Sequence, residues 1–165
     1  MGVSGNTVRD LKARWSSDVL DLQPDWLSVM IGINDVWGNF SLLGAFRQNI
    51  SEDEFTDTLV KLIKLVRPSL RGLVLMTPYY LETDRQEPLR ELMDRFGDRV
   101  KGIAENLDAI LVDTQSAFDR VLEWTNPIQL AEDRVHVNSI GHMILARAFL
   151  SQIGFDWNRK PNSES

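Results

Sequence analysis

The sequence predicts an α/β protein built on a parallel sheet. Three observations carry that reading. Short apolar runs end at Gly32, at Thr77-Pro78 and at Asp113. Between them lie longer stretches with apolar residues at the i, i+3, i+4 and i+7 spacing of helices. The two kinds of segment alternate, which implies βαβ crossovers and parallel strands sandwiched between helix layers. In such a sheet function sits at the carboxyl ends of the strands.

The elements follow in chain order. Asn6 or Thr7 caps a helix reaching about Leu20, with Val8, Leu11, Trp15 and Val19 on one face. Pro24-Asp25 ends it. Residues 26–31 are nearly all apolar and run into Gly32, as a buried parallel strand does. Residues 32–51 read as a long surface loop with room for a short helix. Ser51-Glu52-Asp53-Glu54 supplies the acidic first turn of a helix ending at Val66, with Phe55, Leu59, Leu62 and Ile63 inward. Residues 72–76 form the second strand. A helix follows over 87–107, with a break expected at Gly97. Residues 109–112 form the third strand, and Asp113-Thr114 opens a helix through Glu123. Ser139 starts the last helix, which carries Ile140, Met143, Ile144, Ala148 and Phe149. Residues 1–157 read as one domain, and residues 158–165 as a polar tail.

Composition narrows the function. The net charge of −6 argues against nucleic acid and against an anionic membrane surface, because phosphate binding wants a basic face. There is no cysteine, hence no disulfide, thiolate metal site or cysteine nucleophile. The histidines, His136 and His142, are too few for a typical zinc hydrolase site. No apolar run approaches the ~20 residues that span a bilayer.

A few residues can carry chemistry. Asp133 precedes His136 by one turn and can hold one imidazole nitrogen while the other acts as a base. The plainer alternative has Asp133 capping a helix or pairing with Arg134, but Asn138 and Ser139 are better caps. His142 sits in the first turns of an apolar helix, where a charged imidazole is disfavoured, and reads as structural. Asn34 follows a strand, where a side-chain amide can donate into an oxyanion hole or simply close a turn. Asp35 is placed to accept backbone N–H groups. Gly5, after Ser4, lets the backbone approach a ligand, or merely turns the chain before a helix. Ser4 itself lacks the strand-to-helix elbow of a nucleophile. Trp37 and Phe40 can form a platform for a sugar ring or acyl group, or pin their loop to the core. No carboxylate pair stands out as a glycosidase dyad.

Ser4-Gly5-Asn6, Gly32-Ile33-Asn34-Asp35 and Asp133-Arg134-Val135-His136 together resemble three of the four sequence blocks of the SGNH (GDSL-type) hydrolases. The likeness extends through Pro24-Asp25-Trp26, Met76-Thr77-Pro78, Val112-Asp113-Thr114-Gln115 and Gly141 to Phe149, and is greatest to bacterial acetylxylan esterases of the cytoplasmic kind. The resemblance implies a three-layer α/β/α sandwich of flavodoxin-like type. It also implies His136 as general base and then acid, Asp133 as its orienting carboxylate, and Gly5 and Asn34 as oxyanion donors. It implies no cofactor and no metal. Val137 stands where the family usually has proline, which implies a looser turn after His136. The Gly-Asp-Ser block with the nucleophilic serine is absent, since Gly97-Asp98 is followed by Arg99.

The sequence is therefore expected to lack the N-terminal strand or strands of the fold and to be inactive as it stands. The expected substrate is an acylated, above all acetylated, carbohydrate or other small ester. Alternatives are a noncatalytic sugar- or partner-binding relative, a lysophospholipase- or thioesterase-like hydrolase and, with two histidines, the weaker case of a metal-dependent deacetylase. The expected location is cytoplasmic, with no nucleic-acid or membrane partner. Homo-oligomerisation stays open.

Overall fold

A computed structural model describes residues 2–38, 40 and 49–159. Three parallel strands form one sheet in the order β1 (Trp26–Met30), β2 (Gly72–Met76) and β3 (Ile110–Val112). Trp26 pairs with Gly72 and Met30 with Met76, while Val74 to Met76 pair with Ile110 to Val112. The helices are α1 (Val8–Ala13), α2 (Ile33–Trp37), α3 (Glu52–Val66), α4 (Pro88–Asn106), α5 (Thr114–Leu122) and α6 (Ser139–Gln152).

Strand β2 is central and buried. Its side chains alternate between the two faces of the sheet. Leu73 and Leu75 join the larger core cluster with Val8 of α1, Phe55, Leu59 and Ile63 of α3, and Met93, Phe96 and Val100 of α4. Phe55 and Phe96 meet at a ring separation of 4.8 Å. A smaller cluster gathers Phe118 and Leu122 of α5, Leu81, Leu130 and Ala131, with Ile144 and Leu145 of α6 packed against it. This is the expected α/β arrangement.

Local differences have physical causes. The first helix is short. After Ala13 the α-helix stops at Arg14 and the chain continues as a π-helical turn over Ser16–Leu20, with Trp15 and Val19 still buried. Strand β1 is an edge strand among the described residues, so only Val29 is buried, while Trp26 and Met30 are about half exposed. The apolar composition of residues 26–31 predicts a buried strand because composition alone does not reveal which strand lies at an edge. The expected break at Gly97 does not occur: α4 runs through it, because Gly97 is buried beside Thr77 and Phe96 anchors the same turn. Among the described residues no helix is long and apolar enough to cross a membrane.

A Cβ at Gly97 would meet the Thr77 Cβ at 3.8 Å, an ordinary contact. Gly97→Ala should therefore stabilise the protein by about 0.5–1 kcal/mol, through the lower backbone entropy that alanine loses in a helix. Urea denaturation measures this directly, and a lower midpoint would show that the Thr77 contact has no room to spare.

Candidate active site

The carboxyl ends of β1 and β2 and the loop before α6 meet at one rim. Met30, Ile31, Ile33, Pro78, Tyr79 and His136 line a single cavity there, of about 180 Å³. A second hollow of about 420 Å³ borders His136 from the side of Ile128, Leu130 and Glu132. His136 thus stands between two open spaces, with its side chain 80% exposed.

One carboxylate organises this loop. Asp133 Oδ1 accepts the backbone N–H of Val135 at 3.0 Å and of His136 at 2.8 Å. Its Oδ2 lies 2.6 Å from His136 Nδ1. The bond to the imidazole, aided by the backbone donors, lowers the Asp133 carboxyl to about 2. An Asp–His pair of this kind fixes the ring with Nδ1 toward the carboxylate and Nε2 free to exchange a proton. The alternative pairing of Asp133 with Arg134 is not formed. Arg134 takes a left-handed backbone (φ +64°), and its guanidinium pairs with Glu82.

Neighbouring elements hold the loop from outside. Tyr79 donates its hydroxyl to the Val135 carbonyl at 3.0 Å, and the Leu81 N–H bonds the Arg134 carbonyl at 3.0 Å. Asn138 caps α6 by accepting from the N–H groups of Ile140 and Gly141. Val137 packs so closely on Gly141 that a Cβ there would lie 2.4 Å from its own. The turn after His136 is therefore pinned by a side-chain contact where proline would have stiffened the backbone.

The oxyanion candidates come from two turns. Gly32 leaves β1 with φ +130°, and a Cβ on it would stand 2.9 Å from Pro78 Cγ, so only glycine fits. That exit starts α2 and sets Asn34, whose Nδ2 donates to the Asn6 carbonyl at 2.9 Å. An amide carries two hydrogens, so one remains for another acceptor. Gly5 lies one residue before Asn6, in a turn with φ +76°. Asn34 thereby links α2 to the Ser4–Thr7 turn.

Asp35 is the group that sequence reasoning underrated. It is 2% exposed. Its Oδ1 accepts the Val8 N–H at 2.9 Å, and its Oδ2 has no hydrogen-bond partner. Burial raises this carboxyl to about 6. Tyr79 was missed altogether, since nothing in a Pro-Tyr-Tyr string signals a contact 56 residues away.

Other expectations fare differently. Trp37 meets Tyr80 edge-on at 6.3 Å and stays about one-third exposed, so it both pins α2 and offers a face. Phe40 is about half exposed; residues 39 and 41–48 of the same loop lie outside the described residues. Ser4 is exposed in a turn with no elbow. His142 was read as structural, but its side chain is exposed and makes no hydrogen bond among the described residues. The helix turns it outward because Gly141, not His142, faces Val137.

The model of the GDSL-like Lipase/Acylhydrolase family matches residues 1–144. An acetylxylan esterase of Geobacillus stearothermophilus is 52% identical over 158 residues, which is 96% of this chain and 72% of that protein. The crystal structure of Axe2, an acetylxylan esterase from the same organism, superposes with a TM-score of 0.93 at 51% identity, covering 97% of this chain and 73% of that one. LAE5, an alpha/beta hydrolase from the metagenome of Lake Arreo, Spain, gives a TM-score of 0.89 at 45% identity, over 92% of this chain and 70% of its own. Three Axe2 structures are described as catalytic mutants, in which a serine, a histidine or an aspartate is replaced by alanine.

The pairing at Asp133 has a direct consequence for its titration. A depressed carboxyl stabilises the fold above its ordinary value of 3.8, and the contribution is lost as pH falls through about 2. The Asp133 carboxyl carbon, followed by NMR, should titrate near 2. In His136→Ala the midpoint should move up toward 3.8, because the largest cause of the shift is gone.

Proposed function

The chain belongs to the GDSL-like lipase/acylhydrolase family, and on that footing we propose that it supplies the base, its orienting carboxylate and the oxyanion donors of a serine esterase acting on acetylated carbohydrates. The observation that carries the reading is the 2.6 Å contact of Asp133 Oδ2 with His136 Nδ1, at the rim where Ile33 of α2 also lines the cavity. The aspartate and histidine replaced in the catalytic mutants of Axe2 stand three positions apart in that protein, as Asp133 and His136 do here.

The mechanism is acyl transfer. A serine hydroxyl attacks the ester carbonyl while His136 Nε2 takes its proton, and Asp133 stabilises the imidazolium. The carbonyl oxygen becomes an oxyanion, held by the Gly5 N–H and the free hydrogen of the Asn34 amide. His136 returns the proton to the departing sugar alcohol. Water then repeats the cycle on the acyl-enzyme. Trp37 and Phe40 offer aromatic surface for the sugar. The sequence contains no Gly-Asp-Ser, so this reading needs a nucleophile from residues outside it. That same absence favours the second reading, a sugar-binding relative without turnover.

Both are tested on an activated acetyl ester. The chain alone should show little turnover. An N-terminal extension carrying a Gly-Asp-Ser strand should restore it, and a binding-only relative would stay silent. In the extended enzyme His136→Ala should remove most of kcat. Asn34→Ala should lower kcat by about 100-fold with a smaller change in KM, since an oxyanion donor acts mainly in the transition state. A panel of acetylated xylo-oligosaccharides, long-chain acyl esters and thioesters then sorts the substrate class.

A further inference from the structure

We propose that Asp35 is a positioning residue for the oxyanion donors: its buried carboxylate, acting through the Val8 N–H, fixes α1 and the turn before it against α2, and so sets the Gly5 backbone relative to the Asn34 amide. The assignment of Gly5 and Asn34 as donors rests on the esterase reading; the mechanical coupling does not.

The geometry is that of two parallel ties. Asn34 and Asp35 are adjacent on α2. Asn34 reaches the Asn6 carbonyl at 2.9 Å, and Asp35 reaches the Val8 N–H at 2.9 Å. The two bonds grip the same short stretch from either side of Thr7, the N-cap of α1. Thr7 lies between, with its N–H and hydroxyl both bonded to Asp10, at 2.8 and 2.7 Å. Gly5 is directly joined to this gripped segment. It has no Cβ and sits at φ +76°, so its own conformation is held by what surrounds it. A shift of the Val8 tie is therefore passed to the Gly5 N–H within three residues.

The choice of a carboxylate at this place costs stability. Asp35 is inside the core, one of its oxygens lacks a partner, and the charges bearing on it are mixed: Asp10 on α1 and Glu54 on α3 oppose its ionisation, while Arg9 on α1 is itself bound to Glu54. A raised carboxyl means that the folded state holds its proton longer than the unfolded one. The Asp35 contribution to stability is then greatest at low pH and falls as pH rises from 3.8 through about 6. Over those roughly two units the folding equilibrium loses about 100-fold. A neutral side chain would avoid that loss. A negative oxygen is the stronger acceptor for an N–H, and a stronger tie is what a donor pair needs when it must be placed within ~0.5 Å.

The test uses the chain itself and no ester. Amide NMR spectra are followed from about pH 4.5 to about 8.5. Val8, the Gly5 backbone amide and the Asn34 side-chain amide should share one midpoint near 6. In Asp35→Asn that midpoint should vanish from all three. If Val8 alone titrates while Gly5 and Asn34 stay still, Asp35 is a local anchor and the proposal is overturned. If Gly5 and Asn34 still titrate in Asp35→Asn, another group drives them and it is overturned as well. Should that variant not fold, the wild-type titration decides alone. Failure of the extended enzyme to turn over esters would sink the esterase reading and leave this result standing.

Discussion

The carboxyl end of the central strand is the constraint on which the rest depends. A buried strand must leave the sheet at the rim, and every backbone group it carries there needs a partner. Thr77 meets that need by tying to β3 and α5: its N–H bonds the Val112 carbonyl at 3.1 Å, and its hydroxyl oxygen accepts the Thr114 N–H at 2.9 Å. The Thr114 hydroxyl returns a bond to the Thr77 carbonyl. Tyr80 is closed on both sides by the Gln115 amide. Tyr79 and Leu81, between and after these ties, hold the Val135 and Arg134 carbonyls of the His136 loop. One exit from one strand thus positions both the last helix pair and the imidazole. Beneath it, Arg90 is 2% exposed, yet each of its guanidinium nitrogens is bonded, to Asp94, to Asp119 and to the Glu82 carbonyl, which fixes the start of α4 to the same segment.

Two aspartates at this rim show how surroundings, not residue type, set acidity. Asp133 is accessible and faces three donors, and its carboxyl is held near 2. Asp35 is enclosed, accepts from Val8, keeps one oxygen unpartnered and is raised to about 6. Donors favour the charged form and burial opposes it, so the balance falls on opposite sides in the two places. The result is one carboxylate that stays ionised across physiological pH and one whose charge depends on it.

Much of the scaffold was legible because it is periodic. The C-terminal limit of α3 at Val66, and its start within a residue, are legible because an acidic first turn and a regular apolar stripe define them locally. Strand β2 and the start of α6 were equally plain. The site was legible only as separate pieces: the spacing of Asp133 and His136 is local, and so is Asn34 after Gly32. What brings them together is not. The contacts Asn34 to Asn6, Asp35 to Val8 and Tyr79 to Val135 each span more than 25 residues and involve groups with no repeating pattern. His142 misled for a related reason. Helix α6 is apolar on several sides, so its sequence does not show which face is covered, and Ile140 and Met143 are exposed, as is the histidine between them.

These contacts fall into two assemblies. Asp133 and His136, the base side of the proposed mechanism, hang on the exit of β2. Gly5, Asn34 and Asp35, its proposed oxyanion side, hang on the seam between α1 and α2. In that mechanism an acyl centre touches both, so their separation has to be fixed by something other than the substrate. The exit of β1 touches the exit of β2 at Gly32 and Pro78, close enough that a single added carbon would stand 2.9 Å from the proline ring. Proline is stiff and buried, and glycine is the only residue that tolerates φ +130° there. Neither partner can yield by rotating a side chain. Any side chain at position 32 would therefore push the two exits apart, backbone against ring.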